Sequence, residues 1–299
     1  MGQAGPPLPC GAARRPGASH RTSSAPPQAH RAPSGHPPDP RPSQRHRIPY
    51  HPPMRILPAL ALLLAGCATA PHGGVDALLL GEQHDATAHP GLQERYVRRL
   101  AEQGRLAAVA LEMAERGATT TGLPPHASED EVQAALGWNP RAWPWERYGP
   151  AVMAAVRAGV PVLGANLPRQ QMREAMEDAT LDALLPGPAI KAQQQAIRRG
   201  HCEMLPESQI RPMTRIQIAR DRAMAQTLES ALARGKTVVL IAGAGHVQPD
   251  VGVPLHLPRS VQAQPLVLPA EETGKDYCAE LRRQMEKRTG EAPSLSSRA

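Results

Sequence analysis

The sequence predicts an α/β protein: a mainly parallel sheet with flanking helices and a helical cap insert. Three observations predict it. Four short runs are apolar almost throughout, helical segments separate them, and each run ends at glycine or polar residues. The runs are DALLLG (Asp76 to Gly81), LAAVALEM (Leu106 to Met113), VPVLGAN (Val160 to Asn166) and TVVLIAG (Thr237 to Gly243). Alternation would mark strands with one wet face, whereas continuous apolar strands belong to parallel sheets covered on both sides. Strand alternating with helix points the same way.

The helices are read in order. LQERYVRRLAEQG places Leu92, Tyr96 and Leu100 on one face, with Gly104 as its stop. Tyr148 to Gly159 has Pro150 near its start and a glycine at its end. Ala219 to Gly235 is amphipathic and leads straight into the last apolar run. Between Met172 and Gln217 lies the insert, rich in Gln, Arg and Met and broken at Leu185-Pro186-Gly187-Pro188. The folded domain is expected over 75–271, with the insert at about 172–217 and a charged, partly helical tail over 272–299. The chain has no Phe, so Leu, Val, Ile, Met and three Trp must build the core.

The N-terminal part reads differently. Residues 1–53 are crowded with Pro, Arg, His and Ser and show no apolar period. Such a segment buries too little surface to offset its ordering entropy, so it is expected either to be disordered or to precede the true start of translation. Much of the formal +7 charge sits there, and no nucleic-acid partner is inferred from it. From Met54 the chain reads MRILPALALLLAGCATA: one Arg, a short apolar stretch, then Leu64-Ala65-Gly66-Cys67. This resembles a bacterial lipoprotein signal over 54–67, with Cys67 as the lipidated residue and 68–74 as linker. Acyl chains there would anchor the protein at roughly 0.8 kcal/mol per buried methylene. Ala68 after the cysteine favours the outer membrane, on either its periplasmic or its surface face. Cys202 and Cys278 would meet an oxidising compartment, but their pairing in space cannot be read from spacing. No Cys-x-x-Cys is present, so a thiolate zinc site is not expected.

Ligands of open parallel sheets collect beyond the carboxyl ends of the strands. There the chain puts Gly81-Glu82-Gln83-His84, then Glu112, then Asn166 with Arg169, and finally Gly243-Ala244-Gly245-His246. The last turn lacks the third glycine of a dinucleotide fingerprint. Three chemistries suit two imidazoles and two carboxylates on one edge. Glu82, His84 and His246 could hold a divalent metal ion. A histidine base oriented by a glutamate (His84 and His246 with Glu82) could activate water for hydrolysis. The edge could also hold an iron porphyrin, with an axial His or Tyr and arginines for the propionates; Tyr148, Arg169 and Arg173 are candidates. Tyr148 also lies in a Trp-rich patch (Trp138, Trp143, Trp145) that reads equally as packing.

The segments GEQHDATAHPGLQ, ALEM, WPWERYGP with VPVLGANLPR, MTRIQIARDRAMAQ and LIAGAGHVQPDVGVPLHL carry a family resemblance. Together they resemble the haem-binding ChaN family of iron-regulated bacterial lipoproteins, grouped with the Tiki and TraB proteases and the erythromycin esterases. The resemblance covers about Val75 to Leu257. It implies an outer-membrane lipoprotein that binds haem for iron acquisition, and it leaves open a homodimer and a hydrolase of the protease or esterase type. The positions it matches are Glu82, His84, Glu112, Asn166, Arg169, Asp221 and His246. His201, in the insert, is a further candidate for reaching a cofactor from the cap side.

Overall fold

In the computed structural model, residues 74–290 are described. The segment 1–53, the signal 54–67 with Cys67, and the linker up to residue 73 lie outside them. Five parallel strands form one sheet: β1 (Ala77–Glu82), β2 (Leu106–Glu115), β3 (Val162–Asn166), β4 (Thr237–Gly243) and β5 (Ala263–Val267), in the order β3-β2-β4-β1-β5. The four expected strands are all present. The fifth is an edge strand with a half-exposed pattern, and it contains Pro265, which only an edge or a bulge tolerates without losing a ladder bond.

Both faces of the central strands are covered, as their unbroken apolar runs require. Leu78, Leu80, Val109, Leu111, Val239 and Ile241 point to one face, packed under α1 (His89–Glu102) and α3 (Trp145–Arg157). Ala77, Leu79, Ala108, Ala110, Val238 and Leu240 point to the other, where α6 (Glu207–Ala231) supplies Met224, Ala225 and Leu228. The alternation of side chains along each strand sorts them in this way. In β2 the residues facing α6 are alanines, which leaves room for that helix. The short α2 (Glu129–Ala135) was not anticipated, although its capping box is legible in SEDE: Ser128 accepts from the Glu131 N–H, and the Glu131 carboxylate accepts from the Ser128 N–H at 2.7 Å.

The insert forms the expected helical layer. It contains α4 (Met172–Glu177), a 3-10 turn at Ala179–Ala183, α5 (Gly187–Gly200) and the first turns of α6, closed around Leu167, Leu181, Leu185 and Ile218. Helix α6 starts well before the predicted Ala219, so the insert and the helix behind β4 are one continuous rod. Helix α7 (Tyr277–Gly290) closes the described chain, and a disulfide joins Cys202 to Cys278. The bridge ties the chain beyond residue 271 to the insert. Among the described residues no helix is long and apolar enough to cross a membrane.

Candidate functional site

The central strands β2, β4 and β1 end side by side, and their carboxyl ends carry the cluster. Glu82 is the last residue of β1, Gly243 the last of β4, and Glu112 lies where β2 loses register with β3. That irregularity requires Gly164: a Cβ there would fall 2.0 Å from the Glu115 carbonyl oxygen. Helix α6 then brings Gln217, Arg220 and Asp221 to the edge, spaced so that one helical face presents all three.

Each imidazole is held by its own carboxylate. The His84 Nδ1 lies 2.7 Å from Glu82 Oε1, and the His246 Nδ1 lies 2.5 Å from Asp221 Oδ1. Glu112 stands between the two pairs. Its Oε1 accepts from Arg220 Nη2 at 2.5 Å and lies 3.5 Å from His246 Nε2, while its Oε2 accepts from the Gly243 N–H at 2.7 Å. The missing side chain of Gly243 makes room for His84, because a Cβ there would be 2.9 Å from His84 Nε2. That same point is 3.5 Å from Glu112 Oε2, so both imidazoles face one carboxylate. The two Gly-x-x-His turns of the sequence thus meet at one edge.

The remaining bonds anchor the carboxylates. Glu82 accepts from the Tyr148 hydroxyl at 2.7 Å and from the Gln93 amide. Arg220 Nε donates to Asn166 Oδ1 at 3.0 Å, and Asn166 Nδ2 donates to the Glu112 carbonyl at 2.9 Å. Gln217 Nε2 sits 3.2 Å from His246 Nε2. Trp143 meets the His84 ring edge-on, with centroids 5.0 Å apart.

Charge balance explains the titration of the set. Three buried carboxylates (Glu82, Glu112, Asp221) face one guanidinium, and the imidazoles supply the rest. Burial opposes charge on His246, but Glu112 and Asp221 overcome it and raise its pKa to about 9. His84 is raised too: burial opposes its protonation, and the hydrogen-bonded Glu82 together with Glu112 outweighs it. Burial works against the Glu112 anion, yet His246 and Arg220 hold its carboxyl well below the usual range. Asp221 goes up, because burial outweighs His246 there. Burial and the Glu82 carboxylate push the Tyr148 hydroxyl up, so it stays a neutral donor.

The structure thus gathers Glu82, His84, Glu112, Tyr148, Asn166, Asp221 and His246. Three sequence candidates are not among these contacts. Arg169 is in the turn after β3, with its backbone N–H on Glu115 Oε1. His201 ends α5 with Nδ1 on the Ile197 carbonyl, beside the disulfide. Arg173 lines an open hollow of about 450 Å³ with Gln170, Glu174, Glu177 and Asp178, outside the cluster. Sequence reasoning missed Gln93, Arg147 and Arg220, and it read Trp143 only as packing. Arg147 Nη2 donates to the Ala86 carbonyl at 2.6 Å, while its buried Nε has no partner. The alternative of Glu82, His84 and His246 as metal ligands does not match the geometry. Glu82 is occupied by three donors, and among the described residues no group of three or more His, Cys, Asp or Glu is arranged to hold a metal ion.

Fold and site together define an α/β protein with a charged, two-imidazole cluster at the carboxyl edge of a parallel sheet. The chain belongs to the family of haem-binding uptake proteins of the Tiki superfamily, ChaN, whose profile matches residues 72–257. Among solved structures it is similar to ChaN of Campylobacter jejuni, described with cofacial haem binding. The two share a TM-score of 0.52 and 24% identity, over 68% of this chain and 84% of that one. The type III effector HopBA1 superposes more loosely, with a TM-score of 0.34 and 17% identity over 67% and 79% of the two chains. No curated protein matches the chain.

Proposed function

We propose that the protein binds haem at this edge, with His84 as the group that meets the iron. One observation carries the reading: the His84 ring is held through Nδ1 by Glu82, the one hydrogen-bond partner of its side chain among the described residues. Once the ring gives up the proton that its carboxylate neighbours favour, Nδ1–H stays donated to Glu82 and the Nε2 lone pair is left for a ligand, the arrangement in which a carboxylate orients a metal-binding imidazole. His246 suits that task less, because Asp221, Glu112 and Gln217 crowd both its nitrogens. Tyr148, buried and donating to Glu82, is a support for the carboxylate.

The donor set fits a porphyrin in a second respect. The unpartnered Nε of Arg147 borders the same loop as His84, and a guanidinium edge suits a propionate. Trp143 gives His84 an aromatic wall. Haem would bring iron with an open coordination position and two carboxylates. His84, Arg147 and Trp143 would orient it, and the inner pairs would keep the edge rigid. The mature protein we place on the outer membrane through Cys67, serving iron acquisition; the lipoprotein-like signal from Met54 supports this. Mass spectrometry of the mature N-terminus tests the anchor, and an unmodified N-terminus would refute it.

Titrating purified protein with haem tests the binding. A Soret band shifted from that of free haem, saturating at micromolar haem, is expected; an unshifted band refutes the reading. A second reading, hydrolysis, is favoured by the two imidazole–carboxylate pairs facing one another, since either could activate water as a general base. Turnover on ester or peptide substrates, lost in both His84→Ala and His246→Ala, would decide for it.

A further inference from the structure

The family match ends at residue 257, yet the chain beyond it is bonded to the site. After β5, Leu268 N–H donates to the Gly81 carbonyl at 2.8 Å, and the Pro269 carbonyl lies 2.8 Å from His89 Nε2. Gln83 pairs with the Glu271 backbone in both directions: its Nε2 donates to Glu271 O, and the Glu271 N–H donates to its Oε1, each at 3.1 Å. The Glu271 carboxylate accepts from Thr87 N, Thr87 Oγ1 and Ala88 N at 2.7 to 2.8 Å. It thereby caps α1, whose own N-cap residue Ala88 offers no side-chain bond. The Tyr277 hydroxyl donates to Asp85, and Lys275 lies 3.4 Å from the same carboxylate. Residues on both sides of His84 are therefore clamped by one segment.

Little else holds that segment down. Of residues 268–278 only Leu268 is buried, and the bonds just described are exposed or half-buried. Its covalent anchor is Cys278, bridged to Cys202 across 76 residues of chain. Cys202 lies in the turn between α5 and α6, and α6 carries Gln217, Arg220 and Asp221. The bridge therefore links the loop that presents His84 to the helix that holds His246 and Glu112. Cys278 is exposed and Cys202 half-buried, within reach of a small thiol.

We propose that residues 268–278 are a strap whose Gln83, Asp85 and α1 contacts position His84, and that the Cys202–Cys278 disulfide is its latch. A dithiol supplies two electrons and two protons: the S–S bond breaks, two cysteine thiols form, and the dithiol becomes a disulfide. The strap then frays from its C-terminal end, the His84 loop loosens, and the His246 side stays held by α6. The regulatory part rests on the haem reading; the positioning part does not.

The test is hydrogen exchange on the full chain, oxidised and after reduction with dithiothreitol, beside a haem titration of each form. Reduction is expected to speed exchange at residues 83–88 by about tenfold or more, with residues 244–248 unchanged, because local opening is read by the amides that it frees. Haem affinity falls by about tenfold, and re-oxidation restores both. Cys278→Ser without reductant reproduces the reduced form, and Tyr277→Phe, with the disulfide intact, gives a smaller rise confined to 83–88. Unchanged exchange at 83–88 after thiol titration confirms full reduction, or an equal rise at 244–248, overturns the strap. Equal haem affinity in both forms overturns the latch. If the oxidised chain binds no haem at all, the haem reading falls while the exchange comparison still decides the strap.

Discussion

Replacing Glu112 with glutamine removes one charge and almost no volume from the centre of the cluster. The amide oxygen can still accept from the Gly243 N–H, so the change isolates the carboxylate's electrostatic role. Glu112 is 1% exposed, and it faces the Arg220 guanidinium at 2.5 Å and the His246 imidazole at 3.5 Å. Removing one member of a buried ion pair costs about 3–5 kcal/mol, because the surviving charge stays desolvated. Two cations lose their partner here, although Asp221 still holds His246, so the lower half of that range is expected. Domains of this size have total stabilities of roughly 5–15 kcal/mol. The variant should therefore still fold, but with a Tm lower by roughly 6–16 °C. Urea denaturation followed by circular dichroism gives the midpoint and the slope. A midpoint loss with an unchanged slope, equivalent to about 3 kcal/mol, is the expected result. A loss below about 1 kcal/mol would refute the claim that Glu112 neutralises Arg220 and His246.

Two further predictions concern the imidazoles. The folded-state pKa of His246 lies near 9, above its ordinary 6.5. The stability that it contributes is complete below 6.5 and disappears as pH rises through 9, on the order of 3 kcal/mol in all. His84, raised as well, works in the same direction. Urea midpoints measured at pH 6, 7.5 and 9.5 should fall with each step, and a flat or rising series contradicts the assignment. Gly243→Ala places a methyl 2.9 Å from His84 Nε2 and must turn that ring away from Glu82. It should weaken haem binding at least tenfold while costing about 1–3 kcal/mol of stability, as read by Soret titration and urea midpoint; unchanged affinity would exclude His84 as the group at the iron.

Much of this was legible in the sequence because apolar continuity reports burial on both sheet faces. Four strands, their carboxyl ends and the residues placed there could be read from that signal alone. The convergence of His84 and His246 followed once the sheet was taken as parallel. What escaped has a physical reason in each case. Strand β5 is a half-exposed edge with Pro265, so it lacks both the apolar run and the alternation that mark strands. Gln93, Arg147 and Arg220 act through long side chains on helices, and their reach depends on how the helix sits over the sheet. No local pattern records that. The strap after Leu268 is held by isolated bonds between residues far apart in the chain, and a charged tail with little apolar content reads as frayed until its partners are seen.

In the proposed site His84, oriented by Glu82, offers its Nε2 to haem. Chemical rescue tests it most directly: the absorption spectrum of haem-loaded His84→Ala, recorded with and without added imidazole, beside the wild-type protein. The expected result is a Soret band that differs from wild type in the variant and returns to it when imidazole enters the vacated position. A variant whose spectrum and affinity already match wild type would contradict it.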